Sequence, residues 1–138
     1  MENVHFYVIK RGHRERIVCQ IAEKAVAQGH RVHVRVPDMQ AAESLNTQMW
    51  TFRDQSFLAH SLGESPSPHV RVTIHDAWLP QERDVLINLA DDMPEEYESF
   101  NRVAEVVGPD DVTKNHGRMR FRQYRELGFE PELHEIVK

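Results

Sequence analysis

Between Lys114 and Gly128 five cations, Lys114, Arg118, Arg120, Arg122 and Arg125, are interleaved with Phe121 and Tyr124. A guanidinium pairs with a carboxylate through two parallel N–H donors, including a carboxylate at a chain end. Aromatic and Arg side chains are also the usual anchors of an interface. The chemistry on offer is therefore recognition of a partner that is both acidic and hydrophobic. Geometry sharpens this, because successive residues of a helix turn by about 100°. From Val112, one side collects Val112, His116, Met119, Gln123, Leu127 and, at its margins, Arg120 and Tyr124; this reads as the core side. The other side collects Lys114, Arg118, Phe121, Arg122 and Arg125. A phenylalanine turned away from a core forgoes roughly 1.5–3 kcal/mol of burial. Two readings account for it. Phe121 packs under a neighbouring loop or the C-terminal tail while the arginines are solvated, or this face docks an acidic, apolar peptide.

Other reactive residue types form weaker patterns. The nine histidines show no compact ligand spacing with carboxylate or thiol partners, so no metal is expected. His30 and His33 point to opposite faces of a strand start. His60, His69 and His75 fall in or beside loops. Cys19 lies inside a helix beside its apolar stripe, where packing is a better reading than nucleophilic chemistry. The acidic run from Asp91 to Glu98 reads as a solvated turn with carboxylates near a helix N-terminus rather than a cation site. Lys10-Arg11-Gly12-His13 lacks the glycine spacing of a dinucleotide loop and the Gly-Lys-Ser/Thr of a phosphate loop. No cofactor is expected. Trp50, Phe52 and Phe57 cluster around a helix end and the loop after it. They either fold back on the domain or form an exposed apolar patch, the mark of a second interface.

The elements that position these residues follow from periodicity. Val4–Ile9 reads as a strand and Arg14–Gln28 as a helix stopped by Gly29. Arg31–Val36 alternates strictly and reads as a strand with a buried valine face and a wet Arg/His face. Asp38 is placed to cap a second helix, which runs to about Trp50 with Ala42, Leu45 and Met49 on one side. Thr51–Pro68 reads as irregular. Val70–Ile74, Val85–Leu89 and Arg102–Val107 read as strands, with a short helix ending near Phe100. Gly108-Pro109-Asp110-Asp111 caps the last helix, and Gly128 closes it. Strand–helix–strand–helix order favours right-handed crossovers between parallel strands, and so an α/β sheet covered on both faces.

At 138 residues a single domain over 1–138 is expected. One cysteine excludes an internal disulfide and suits a cytoplasmic setting. No apolar run approaches the ~20 residues of a membrane span, and the N-terminus has no signal-peptide pattern. A net charge of −5 argues against a protein that coats nucleic acid, although a local basic patch remains compatible with it.

Taken together, these pieces resemble the chi subunit family of bacterial DNA polymerase III over nearly the whole length. The resemblance rests on Phe6-Tyr7, on Cys19 with Ala22-Glu23-Lys24-Ala25, and on Gly29-His30-Arg31-Val32. It continues through Leu45–Trp50, Thr51-Phe52-Arg53-Asp54 and Ser56-Phe57-Leu58-Ala59-His60. Asp84–Leu89, Phe100–Val107 and Arg118–Phe129 complete it. It implies a Rossmann-like three-layer fold without a nucleotide-binding loop, in a non-catalytic replication accessory protein. It implies binding to the acidic, Phe-ended C-terminal tail of single-stranded-DNA-binding protein, at Arg118, Phe121 and Arg122. Through a separate surface near Trp50 and Phe57 it implies contact with the psi subunit and the clamp loader, so that DNA is met only indirectly. Phe121 stands where the family commonly has tyrosine, Ala59 where it has proline and Asn46 where it has aspartate. Two other functional classes stay open on the residues alone: an α/β enzyme with a small-molecule ligand, and a direct single-stranded-DNA binder using the arginines and aromatics.

Overall fold

The computed structural model describes residues 3–51, 59–65, 67 and 69–137. Seven strands form one sheet, and every pairing between neighbours is parallel. They are β1 (Asn3–Ile9), β2 (Val32–Arg35), β3 (His60–Leu62), β4 (Val72–His75), β5 (Val85–Asn88), β6 (Arg102–Val107) and β7 (Glu132–Ile136), in spatial order β3-β4-β2-β5-β6-β1-β7. Among the described residues three α-helices, α1 (Arg14–Ala27), α2 (Met39–Thr51) and α3 (Asp111–Glu126), cover its two faces. The expected three-layer α/β fold is present.

The layers follow from strand alternation. Ile9, Ala104 and Val106 join Val18, Ala22 of α1 and Ala42, Leu45, Met49 of α2 in one core. Val4, Phe6, Val103 and Val107 point the other way and meet Tyr124 of α3 and Phe100. Neighbouring residues of β1 and β6 thus serve opposite layers, as a doubly covered sheet requires. Asp38 accepts the Ala41 N–H at 2.8 Å, and Asp110 accepts the Thr113 N–H at 3.1 Å, so both acidic residues cap helices. Gly128, at φ 96°, ends α3 as expected. Its N–H reaches the Arg125 carbonyl and that of Phe129 reaches the Tyr124 carbonyl, with the Phe129 and Tyr124 rings in edge contact.

Among the strands, the structure corrects the sequence reading in three places. His33, assigned to a wet face, is 1 % exposed. Trp78 and Phe100 lie across that face of β2, with ring centroids 6.0 and 6.4 Å from the imidazole. The segment Thr51–Pro68, read as irregular apart from an interruption at Ser56–His60, contains β3, whose His60 is buried and bonds the Asn46 carbonyl at 3.1 Å. The third is β7, which no periodicity had marked; it is a sheet edge with burial that does not alternate cleanly.

The buried His33 has a thermodynamic consequence. Its Nδ1 shares a hydrogen bond with Thr73 Oγ1 at 2.7 Å. Burial, followed by the charges of His75 and Arg83, lowers its pKa from 6.5 to about 4. As pH falls, the unfolded chain binds this proton first. The stability from neutral His33 is complete above about 6.5 and drains between there and about 4. Denaturant titrations across that window should lose roughly 3 kcal/mol through this group, and His33→Gln should flatten that part of the profile.

Candidate functional site

The rotation of α3 is fixed by a polar cluster rather than by an apolar stripe. Gly117, Arg120 and Tyr124 are its buried residues, whereas Val112, Met119 and Leu127 are exposed at 62, 60 and 52 %. The apolar centre of the side assigned to the core therefore faces solvent, while Arg120 and Tyr124 from its margin are buried. Glu105 of β6 is the reason. Its carboxylate accepts Arg120 Nε at 2.9 Å, Asn88 Nδ2 at 2.9 Å and the Tyr124 hydroxyl at 2.9 Å. Arg120 also donates to the Asp91 carbonyl at 2.7 Å. Burial pushes the Glu105 pKa up, while Arg120, Asn88 and Tyr124 pull it back. Three donors converging on an acceptor-only group match the ionised carboxylate. Burial and the Glu105 charge push the Tyr124 hydroxyl up, so it remains a donor.

Gly117 lets the helix sit close over β6. A Cβ there would stand 2.7 Å from Val107 Cγ2, well inside van der Waals contact. With these contacts set, Lys114, Phe121 and Arg125 fall on the shoulder of α3, beside the sheet. They line an open groove of about 760 Å³ together with Arg118 and Arg122. Phe6, Val8 and Lys10 on the β1 side, Val107 of β6, Leu133 and Glu135 of β7, and Gly117 and Glu126 of α3 complete it. The register explains the floor. Phe6 pairs with Leu133 and Val8 with Glu135, so all four turn to the α3 side.

Phe121 is half-buried. Its ring meets Phe6 edge-on, with centroids 5.1 Å apart at 65°, and its remaining surface lines the groove. Neither sequence reading holds alone: the ring has an intramolecular partner and is still open on one side. Arg118, Arg122 and Arg125 are exposed and Lys114 half-buried. Among the described residues none of these four has a carboxylate within ion-pair distance; Arg118 bonds only the Asn115 side chain, at 3.3 Å. Glu135, by contrast, already lies 3.6 Å from Lys10. The groove combines an apolar floor with a rim of uncompensated cations. All five sequence-predicted α3 residues come together there. The floor residues from β1 and β7 were missed, and only the unremarked Leu133-His134-Glu135-Ile136 run could have pointed to them.

The remaining candidates resolve differently. Trp50 is 52 % exposed, with its ring 4.3 Å from that of His60. Phe52 and Phe57 lie outside the described residues. Cys19 is buried, and burial raises its thiol pKa to about 11, which suits packing and not nucleophilic attack. In the acidic turn Asp92 pairs with Arg35 at 2.9 Å and Glu96 with Arg83 at 3.9 Å. Among the described residues no helix is long and apolar enough to cross a membrane.

Fold and site define an open parallel α/β protein with an apolar-floored, cation-rimmed surface groove beside its last helix. A family model described as DNA polymerase III chi subunit, HolC, matches residues 1–132. The chain is 34 % identical to a Pseudomonas aeruginosa protein named DNA polymerase III subunit chi, covering 100 % of this chain and 99 % of that one. It is 32 % identical to the Escherichia coli protein of the same name, covering 94 and 95 %. A Haemophilus influenzae protein of that name is 30 % identical, over 83 and 82 %. The chain belongs to the DNA polymerase III chi subunit family.

Because Glu105 and Arg120 are buried together, removing one strands the other. Glu105→Gln or Arg120→Met should each cost about 3–5 kcal/mol in denaturant unfolding. The combined Glu105→Gln, Arg120→Met variant should lose distinctly less than the sum, a coupling that a double-mutant cycle measures.

Proposed function

We propose that this chain is a non-catalytic accessory subunit of the replicative polymerase. In this role it holds the acidic, Phe-ended C-terminal tail of single-stranded-DNA-binding protein in the α3 groove and links it to the clamp loader. The observation that carries this reading is the pairing of a half-open Phe121 with Lys114, Arg118, Arg122 and Arg125, none of them neutralised by a carboxylate among the described residues. A terminal phenylalanine offers an apolar ring to the Phe121, Leu133 and Val8 surface. Its chain-end carboxylate and the acidic residues before it offer partners for the guanidinium rim. Family membership supports the same reading, since the relatives are named as subunits of DNA polymerase III. The Phe121 ring lacks the hydroxyl of a tyrosine, so its contribution is contact rather than hydrogen bonding.

Charge pairing near solvent is weakened by salt, so tail binding should be salt-sensitive. In peptide titrations Arg118→Glu and Arg122→Glu should each lower affinity at least about tenfold, since a repulsion replaces an attraction. Phe121→Ala should lower it by a similar factor without changing the salt slope, because the ring carries no charge. Variants that bind like the parent would remove the groove from the function.

A second surface is proposed around Trp50, whose exposure beside His60 gives a partner an aromatic anchor. The psi subunit or the clamp loader is the expected occupant, with Phe52 and Phe57 of the following segment as further contacts. Trp50→Ala should weaken co-purification with the clamp loader while leaving tail affinity unchanged. Loss of both together would mean that the two surfaces are not separate.

A further inference from the structure

On the sheet face opposite the groove, the same alternation that sends Leu133 and Glu135 toward α3 sends Glu132 and His134 the other way. There they meet His5 of β1, which is paired with Glu132 in the parallel register. His5 Nδ1 lies 2.9 Å from His134 Nε2 and 3.0 Å from Glu132 Oε2, and His134 Nε2 lies 3.7 Å from that same oxygen. Three donor atoms thus converge on one point from two adjacent strands.

We propose that His5, Glu132 and His134 form a binding site for a divalent d-block cation of the zinc class, which clips the edge strand β7 to β1. The donor spacing carries this. Ligands about 2.0–2.1 Å from a tetrahedral zinc ion are about 3.3 Å apart, and the three separations here straddle that value. The donor set, two imidazoles and one carboxylate, favours zinc and its neighbours over calcium or magnesium, which prefer all-oxygen shells. The ring orientation is already held. Tyr7 stacks on His134 with centroids 4.8 Å apart at 15°, and His5 stacks on the same ring at 5.2 Å. Glu132 is 66 % and His134 40 % exposed, so solvent reaches the open side and can supply the fourth ligand. Nothing in this site depends on what occupies the groove.

The structural role is local. β7 is the last strand of the sheet and is held on one side only. A metal bridging it to β1 removes freedom from a strand that carries Leu133 and Glu135 on its other face. Without metal the same atoms form an ordinary hydrogen-bonded cluster in which one imidazole donates to the other, and the two states are separable by experiment.

The test uses the untagged full-length chain, freed of metal with a chelator and titrated with zinc chloride alone. The expected result is one equivalent bound and a raised thermal midpoint, by ligand linkage. Amide exchange in β7 should slow at least about tenfold on loading. Cobalt chloride should give the visible absorption of a four-coordinate site. His134→Ala and Glu132→Gln change a half-exposed and an exposed residue of an edge strand and should fold normally. Each should weaken zinc binding by at least about tenfold, as losing a ligand should exceed the effect of losing an outer-shell partner. His69→Ala, remote in sequence and exposed, should bind zinc like the parent. Parent-strength binding by His134→Ala and Glu132→Gln would overturn the proposal. So would an absence of zinc binding to the parent chain at about a hundredfold molar excess.

Discussion

Glu105 and Arg120 meet at 2.9 Å with side chains 0 and 3 % exposed, in the layer between β6 and α3. An ion pair in this position is weak as a source of stability, because desolvating two charges costs about as much as their attraction returns. Its force lies in what it forbids. Any rotation of α3 that takes Arg120 off Glu105 leaves an unpaired charge in the core and frees the Tyr124 hydroxyl as well. The helix is therefore locked about its own axis, and Gly117 against Val107 locks its distance from the sheet. Phe121 follows Arg120 by about 100°, so its place on the groove shoulder is a consequence of the buried pair.

The electrostatic character of the groove follows from the same lock. The one α3 guanidinium that is buried is neutralised internally, and the others are turned outward, away from the carboxylates of the core. A chain of net charge −5 thus carries a concentrated cationic rim on one helix. The rim borders an apolar floor made from alternate residues of β1 and β7. Sheet pleat and helix rotation supply two halves of one surface, which neither could form alone.

Much of the fold was legible because it rests on local rules. The capping aspartates, the glycine stops, the apolar stripes of α1 and α2 and the β-branched strands each announced themselves. The helix whose orientation matters most did not. Its core side is Gly117, Arg120 and Tyr124, of which the hydrophobicity reading put Arg120 and Tyr124 only at a margin and left Gly117 out, while Val112, Met119 and Leu127 point to solvent. A buried polar cluster needs partners from β5 and β6, and sequence spacing within one helix contains no record of them. The five residues placed on the far side of α3 nonetheless come together at the groove, because Lys114, Phe121 and Arg125 lie beside the true core stripe as well as opposite the false one. His33 was misjudged for a related reason. Alternation with polar residues signals a wet face only when nothing covers it, and Trp78 and Phe100 arrive from loops far along the chain. β7 escaped because one of its faces borders an open groove, so its apolar and polar residues do not alternate by burial.

The claim that the groove, set by the buried pair, receives an acidic Phe-ended chain end is tested most directly by amide and methyl chemical-shift mapping. The labelled chain would be titrated with an unlabelled peptide of that type. Perturbations should centre on Phe6, Val8, Lys114, Phe121 and Leu133, with intermolecular nuclear Overhauser contacts from the peptide's terminal ring to Phe121. Saturable perturbations centred on another face, with these groove residues unmoved, would contradict it.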